Sequence, residues 1–149
     1  MRIEKQLSVF LVNKPGRLAN ICSSLAHEKI NIMALTLVDS TEHGVLRVVV
    51  DNAEHAKAIL SKQGVEVTDT DVVLVEIPNR PGAFAALAEL LAREHININY
   101  AYCTAGAPGG KTTAIFKVAE VKKALEVLKE KTEKWAEHSV AGVRPAPGR

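Results

Sequence analysis

Two short stretches of this chain hold residues suited to the capture of a small zwitterion: Asn13-Lys14-Pro15-Gly16-Arg17-Leu18 and Asn79-Arg80-Pro81-Gly82-Ala83-Phe84. In each, Pro-Gly stands just before an apolar-periodic run where a helix should begin. The first turn of a helix leaves backbone N–H groups without internal partners at the positive end of the dipole, and that arrangement suits a carboxylate. Glycine lets a ligand approach the backbone closely. Asparagine carries both a donor and an acceptor, so Asn13 and Asn79 can answer an ammonium and a carboxylate together. Asn31 and Asn97, each followed by isoleucine (Ile32 and Ile98), offer the same groups at the start of a strand. Asparagine also serves turns and strand entries by satisfying local backbone. The residue types therefore leave both roles open, and recurrence of both positions adds weight to the ligand role.

The two stretches belong to a repeat. Asn13-Lys14-Pro15-Gly16 returns as Asn79-Arg80-Pro81-Gly82 at an offset of 66 residues (79 minus 13), and the offset holds without a gap. It aligns Leu25 to Ile32 with Leu91 to Ile98, Gly44 with Gly110, and Ala53-Glu54 with Ala119-Glu120. Self-similarity at a fixed period marks a duplicated module. The cysteines, Cys22 and Cys103, do not follow the offset and lack metal or redox spacing, so they read as reduced packing residues, buried or half-buried.

Hydrophobic periodicity changes in the same order in each copy. Gln6 to Val12 and Val72 to Ile77 are short aliphatic runs that read as buried strands. Leu18, Ile21, Cys22 and Leu25, and in the second copy Phe84, Leu87, Ala88 and Leu91, recur at helical spacing. Second strands start at Asn31 and Asn97. Turn residues follow at Glu42-His43-Gly44 and Gly106 to Gly110, then third strands at Val45 to Val50 and Thr112 to Val118. A second helix follows from about Ala53 to Gln63 and from about Ala119. A short strand at Val65-Glu66-Val67 completes the first copy. This is the β-α-β-β-α-β, ferredoxin-like order, an α+β fold with helices on one face of an antiparallel sheet. The expected organisation is a module at 1–68, a second at 69–138, and a partly disordered tail at 139–149.

A module of this size buries only about 60% of its unfolded surface and is marginal alone. The second strand of the first copy is apolar on both faces, with Ile32, Ala34 and Val38 on one and Met33, Leu35 and Leu37 on the other. Its second face should be covered by the sister copy or by another subunit, and a homodimer is expected.

Composition narrows the function. The 149 residues carry a net charge of +2 and only 4% aromatics, so a nucleic-acid footprint is lacking. No run reaches the about 18 apolar residues of a membrane span, and Met1 to Gln6 opens without an apolar leader core, so no membrane role and a cytoplasmic location are expected. The five scattered histidines have no metal or nucleophile spacing. Neither a metal nor a cofactor is expected. Ala105 to Thr112 resembles the end of a phosphate-binding loop but lacks its first glycine, and a strand rather than a helix follows.

The ordered set of strand, Asn-x-Pro-Gly, Leu-rich helix, Ile-Asn-Ile strand, hairpin, strand and second helix, present twice over residues 4 to 130, resembles the ACT domain. That ferredoxin-like regulatory module occurs in enzymes of amino-acid metabolism. The resemblance implies a non-catalytic sensor of a free amino acid. The ligand is then held at a seam between the Pro-Gly loop of one module and the second strand of a neighbour. It assigns to binding the loop residues Asn13, Pro15, Gly16, Arg17 and Leu18 and their counterparts Asn79, Pro81, Gly82, Ala83 and Phe84, together with Asn31, Ile32, Asn97 and Ile98 of the second strands. The first loop is then closed by the Ile98-bearing strand of the second module or of another subunit. With Arg17 against Ala83 and Leu18 against Phe84, the two sites should differ, the first being tighter. The family often has glycine where Lys29 and His95 stand, so one of these should take positive φ. Lys131-Thr132-Glu133 replaces the last strand in the second copy, for which Ser139 to Val143 is a weak substitute.

Two other classes share this fold. One is a regulatory subunit acting mainly by contact with an amino-acid biosynthetic enzyme. The other is an acylphosphatase-like hydrolase, which needs an arginine-rich phosphate cradle, and Arg17 and Arg80 occupy non-equivalent positions.

Overall fold

The structure is a computed structural model that describes residues 1–12, 14–39, 43–104, 106 and 109–141. Its elements are β1 (Arg2–Val12), α1 (Arg17–His27), β2 (Ile32–Asp39), β3 (His43–Val50), α2 (Ala53–Lys62), β4 (Val67–Pro78), α3 (Ala83–Arg93), β5 (Ile98–Cys103), β6 (Lys111–Val118) and α4 (Val121–Ala141). Contacts divide the chain into two compact units. One holds Ile3–Val72 with Tyr102–Thr104, and the other holds Met1–Arg2, Val73–Ala101 and the described residues beyond Thr104.

In the first unit the strands run β2-β3-β1-β4. β1 and β2 both pair antiparallel with β3, placing Leu7 opposite Val48 and Val9 opposite Leu46. Facing pairs share a face of the sheet. Leu7, Val9, Leu11, Leu46, Val48 and Val50 thus form one apolar surface, onto which α1 lays Ile21 and Leu25 and α2 lays Ala56 and Leu60. The helices cover this one face, as the alternation predicts. In the second unit β4 pairs antiparallel with β6, Val73 opposite Phe116 and Val75 opposite Ala114. Leu87 and Leu91 of α3 and Ala124 and Leu128 of α4 pack there.

Pro-Gly shapes both entrances to the first helices. Arg17 N–H donates to the Lys14 carbonyl at 3.3 Å, and Gly16 has φ 85° and ψ −7°. This is a type II turn with proline second and glycine third, the position that needs positive φ. Ala83 N–H donates to the Arg80 carbonyl at 3.3 Å, with Gly82 at φ 85° and ψ −11°, so the second copy repeats the turn.

The helix exits carry strain. Lys29 and His95 take φ 57° and 56°, both positive as the missing glycine implies. Ile30 N–H reaches back to the Leu25 carbonyl and Ile96 N–H to the Leu91 carbonyl, each at 2.9 Å, which fixes the left-handed residue between. Both positions are exposed. Lys29→Gly and His95→Gly should each raise stability by about 1 kcal/mol, read as a higher urea midpoint at unchanged m. An unchanged or lower midpoint for both would mean the side chains repay the backbone strain.

Three expectations change. The strand placed at Val65 begins instead at Val67 and runs unbroken to Pro78 as β4, because the left-handed Gly64 and the bond from Val65 N–H to the Leu60 carbonyl keep residues 64–65 in the helix exit. Ser139 to Ala141 form no strand but extend α4, and residues 142–149 lie outside those described. Cys22 is half-buried as read, whereas Cys103 is exposed.

Candidate functional site

The first Pro-Gly loop borders an open cavity of about 330 Å³. Leu11 and Val12 end β1 there, Lys14 belongs to the turn, Arg17 and Leu18 open α1, Leu37 comes from β2 and Gly44 from β3. All seven belong to one unit. The floor exists because a row of side chains is interrupted. β3 presents Leu46, Val48 and Val50 to the helices, and the next residue on that face is Gly44, opposite Leu11. With no side chain at Gly44, the space between Leu11 and Leu37 stays open.

Two cations belong to this lining. Lys14 and Arg17 are exposed, and neither makes an ion pair among the described residues. Beside them the N–H groups of Leu18 and Ala19 precede the intrahelical ladder, which begins with Asn20 N–H donating to the Gly16 carbonyl at 2.9 Å, while Arg17 N–H is held by the turn. Two cations and a helix N-terminus at the mouth of an aliphatic cleft fit an anion with a hydrocarbon body.

Of the residues assigned from sequence, Arg17 and Leu18 line the cavity, and Pro15 and Gly16 form the turn at its rim. Asn13 lies outside the described residues. Asn31 and Ile32 stand at the opposite end of β2 from Leu37, roughly 20 Å away along an extended strand at about 3.3 Å per residue. Asn31 N–H donates to Asp51 Oδ1 at 3.0 Å, and Ile32 packs on the core. Lys14, Leu11, Val12, Leu37 and Gly44 were not assigned from sequence. The signal for Gly44 was there, as a glycine at an inward position of a valine-rich strand.

The second loop differs. Asn79 Nδ2 donates to the Gly106 carbonyl at 2.8 Å, Asn79 N–H to the Gly110 carbonyl at 2.8 Å, and the Asn79 carbonyl accepts from Gly109 N–H at 3.1 Å. Pro81 and Gly82 form the turn, Ala83 is buried, and Phe84 stacks on Phe116 with ring centroids 5.3 Å apart. Asn97 is exposed at the entry to β5, and Ile98 packs on the second core.

A further cavity of about 450 Å³ lies between α2, β1 and β4, among Lys5, Leu7, Glu54, Lys57, Ser61 and Asp69. Its charges are matched internally. Lys57 Nζ meets Asp69 Oδ1 at 2.6 Å, and Lys5 Nζ meets Asp71 at 2.8 Å and Asp69 at 3.7 Å. The Lys57 hydrogen bond lowers the Asp69 pKa, and the Asp71 hydrogen bond raises that of Lys5. Partial burial raises the Cys103 thiol, which keeps it protonated near neutral pH and a poor nucleophile. Among the described residues no cluster of three metal-ligating side chains occurs, and no helix is long and apolar enough to cross a membrane.

Comparison with known proteins adds family information. The model of a family described as an ACT domain pair matches residues 1–142. A solved structure of a protein from Bacteroides thetaiotaomicron superposes with TM-score 0.80 at 37% identity, covering 87% of this chain and 89% of that one. The ligand-free regulatory subunit of aspartate kinase from Thermus thermophilus superposes with TM-score 0.67 at 18% identity, covering 87% and 94%. The corresponding subunit from Thermus flavus gives 0.57 at 18%, covering 87% and 93%. No curated protein sequence matches.

Proposed function

We propose, from the premise that this chain belongs to the ACT domain pair family, that it is a regulatory protein which binds a free amino acid at the loop of its first module. The observation that carries this reading is the cavity beside the Lys14–Arg17 turn, whose lining joins Lys14 and Arg17 to the aliphatic side chains of Leu11, Val12, Leu18 and Leu37. A carboxylate there gains charge-assisted hydrogen bonds, which contribute about twice what neutral ones do. A thermal-shift screen against the twenty amino acids tests it. A ligand that binds only the folded state at about 100 times its Kd stabilises by roughly 2.7 kcal/mol. A flat screen at millimolar ligand would sink the reading.

A second reading, contact with a metabolic enzyme or with a second copy as a homodimer, draws on β2. This strand ends the strand order of its unit, and Leu35, Leu37 and Val38 are 44%, 48% and 40% exposed. An apolar edge strand calls for cover. Sedimentation at micromolar concentration should show two chains, and a large enzyme co-purifying from native cells with a flat ligand screen would favour the subunit role.

A further inference from the structure

We infer that the ligand of the first-module cavity has an uncharged aliphatic side chain, in the class of leucine, isoleucine, valine and methionine. The inference rests on the reading that this cavity holds an amino acid, and it concerns which one.

The cavity has two kinds of lining. Lys14 and Arg17 supply positive charge beside the first turn of α1. Leu11, Leu18 and Leu37 supply hydrocarbon around the bare backbone of Gly44. A ligand that places its carboxylate against the cations directs its side chain towards the leucines. Leu11 and Leu37 flank β3 on the helix-covered face, where Gly44 interrupts the row of Leu46, Val48 and Val50. The side chain of the ligand thus takes the place that a fourth aliphatic residue of β3 would fill. What completes an aliphatic row is an aliphatic group.

The same lining disfavours other classes. A lysine or arginine ligand loses hydration of its side-chain cation among leucines, in a lining whose described residues hold two cations and no carboxylate. An aspartate or glutamate ligand loses hydration of its side-chain carboxylate among leucines without a partner there. Each methylene moved from water to such a surface changes affinity about fourfold, so leucine should exceed alanine, which has three fewer carbons, on the order of fiftyfold.

Gly44 allows a direct test. Its backbone lies outside the left-handed region, and an added Cβ would meet Leu37 Cδ1 at 3.6 Å and the Val38 carbonyl at 3.7 Å, both ordinary contacts. The Cβ of Gly44→Val therefore fits the backbone as it stands, and its two methyls should occupy the ligand's place. Leu37→Gln, at a half-exposed position, is a second variant that alters the wall without filling the cavity.

Calorimetric titration of the parent chain with alanine, valine, leucine, methionine, lysine and aspartate is the measurement, repeated with leucine on both variants. The expected result is affinity rising from alanine through valine to leucine, with no heat from lysine or aspartate. At least a tenfold loss should follow in Gly44→Val at an unchanged melting temperature. Should Gly44→Val melt early, a tenfold loss in Leu37→Gln takes its place. Tighter binding of lysine or aspartate than of leucine overturns the aliphatic assignment and leaves the amino-acid reading standing. Undiminished leucine binding by both variants overturns the location. No heat from any amino acid overturns both.

Discussion

Gly16→Val and Gly82→Val should lose nearly the same stability, yet only the first should lose ligand. Both glycines hold φ 85° in a type II turn, and a Cβ at either would meet nothing within 4 Å. The cost at each is therefore backbone strain alone, about 1–2 kcal/mol, and it cancels in the comparison. What does not cancel is the site. Relaxing the first turn moves Lys14 and Arg17 away from the cavity mouth, and the loss of charge-assisted bonds worth about 1.5–3 kcal/mol predicts a drop in affinity of at least tenfold. Relaxing the second turn moves Arg80 but not a second cation, since Ala83 stands where the first turn has Arg17, and the Asn79 side-chain amide is already bonded to Gly106. Calorimetric titration of the two variants, alongside urea unfolding, measures both quantities. Equal affinity losses would show that the second loop binds as strongly as the first.

Phe116→Ala should be the most damaging single change considered, costing about 3–5 kcal/mol. Phe116 is fully buried in the second core among Val73, Val75, Leu87 and Leu91, and its ring stacks on Phe84 with 16° between planes. Truncation removes the transfer energy of the ring, leaves a cavity, and strips Phe84 of its partner. Against a typical domain stability of about 5–15 kcal/mol this approaches global unfolding. Phe84→Leu, which keeps an aliphatic contact at a position 38% exposed, should cost about 1 kcal/mol or less. Chemical denaturation at 25 °C separates the two. A loss below about 1 kcal/mol for Phe116→Ala would mean that the surrounding helices collapse into the space.

The duplication made most of the fold legible. One offset of 66 residues placed both Pro-Gly turns and both first helices, because each depends on local sequence. The resemblance led to a left-handed exit at Lys29 or His95, and both residues adopt it. Whatever depends on context was harder to see. Val65 to Val67 and Val72 to Ile77 read as two strands, one for each module, yet ion pairs to Lys5 and Lys57 hold Asp69 and Asp71 within one strand from Val67 to Pro78. α4 continues through Ser139 because its alternating Lys and Glu support a helix without a second apolar face. At the site, the loop residues were visible as a motif. The cavity floor was not, since it arises from Gly44 standing opposite Leu11 in one strand pairing and beside Leu37, the partner of Leu46, in the other.

The edge strand β2 also bears on how the protein behaves as a material. From Ile32 to Val38 it has seven residues with no charge, proline or glycine, and it ends the strand order of its unit. Sequences of this kind stack readily into cross-β aggregates when their free edge meets another. Dilution or overproduction that leaves β2 bare should therefore cost solubility before it costs secondary structure. A lysine at Leu35, which is 44% exposed, would act as a gatekeeper, lengthening shelf life at the expense of whatever normally covers the strand.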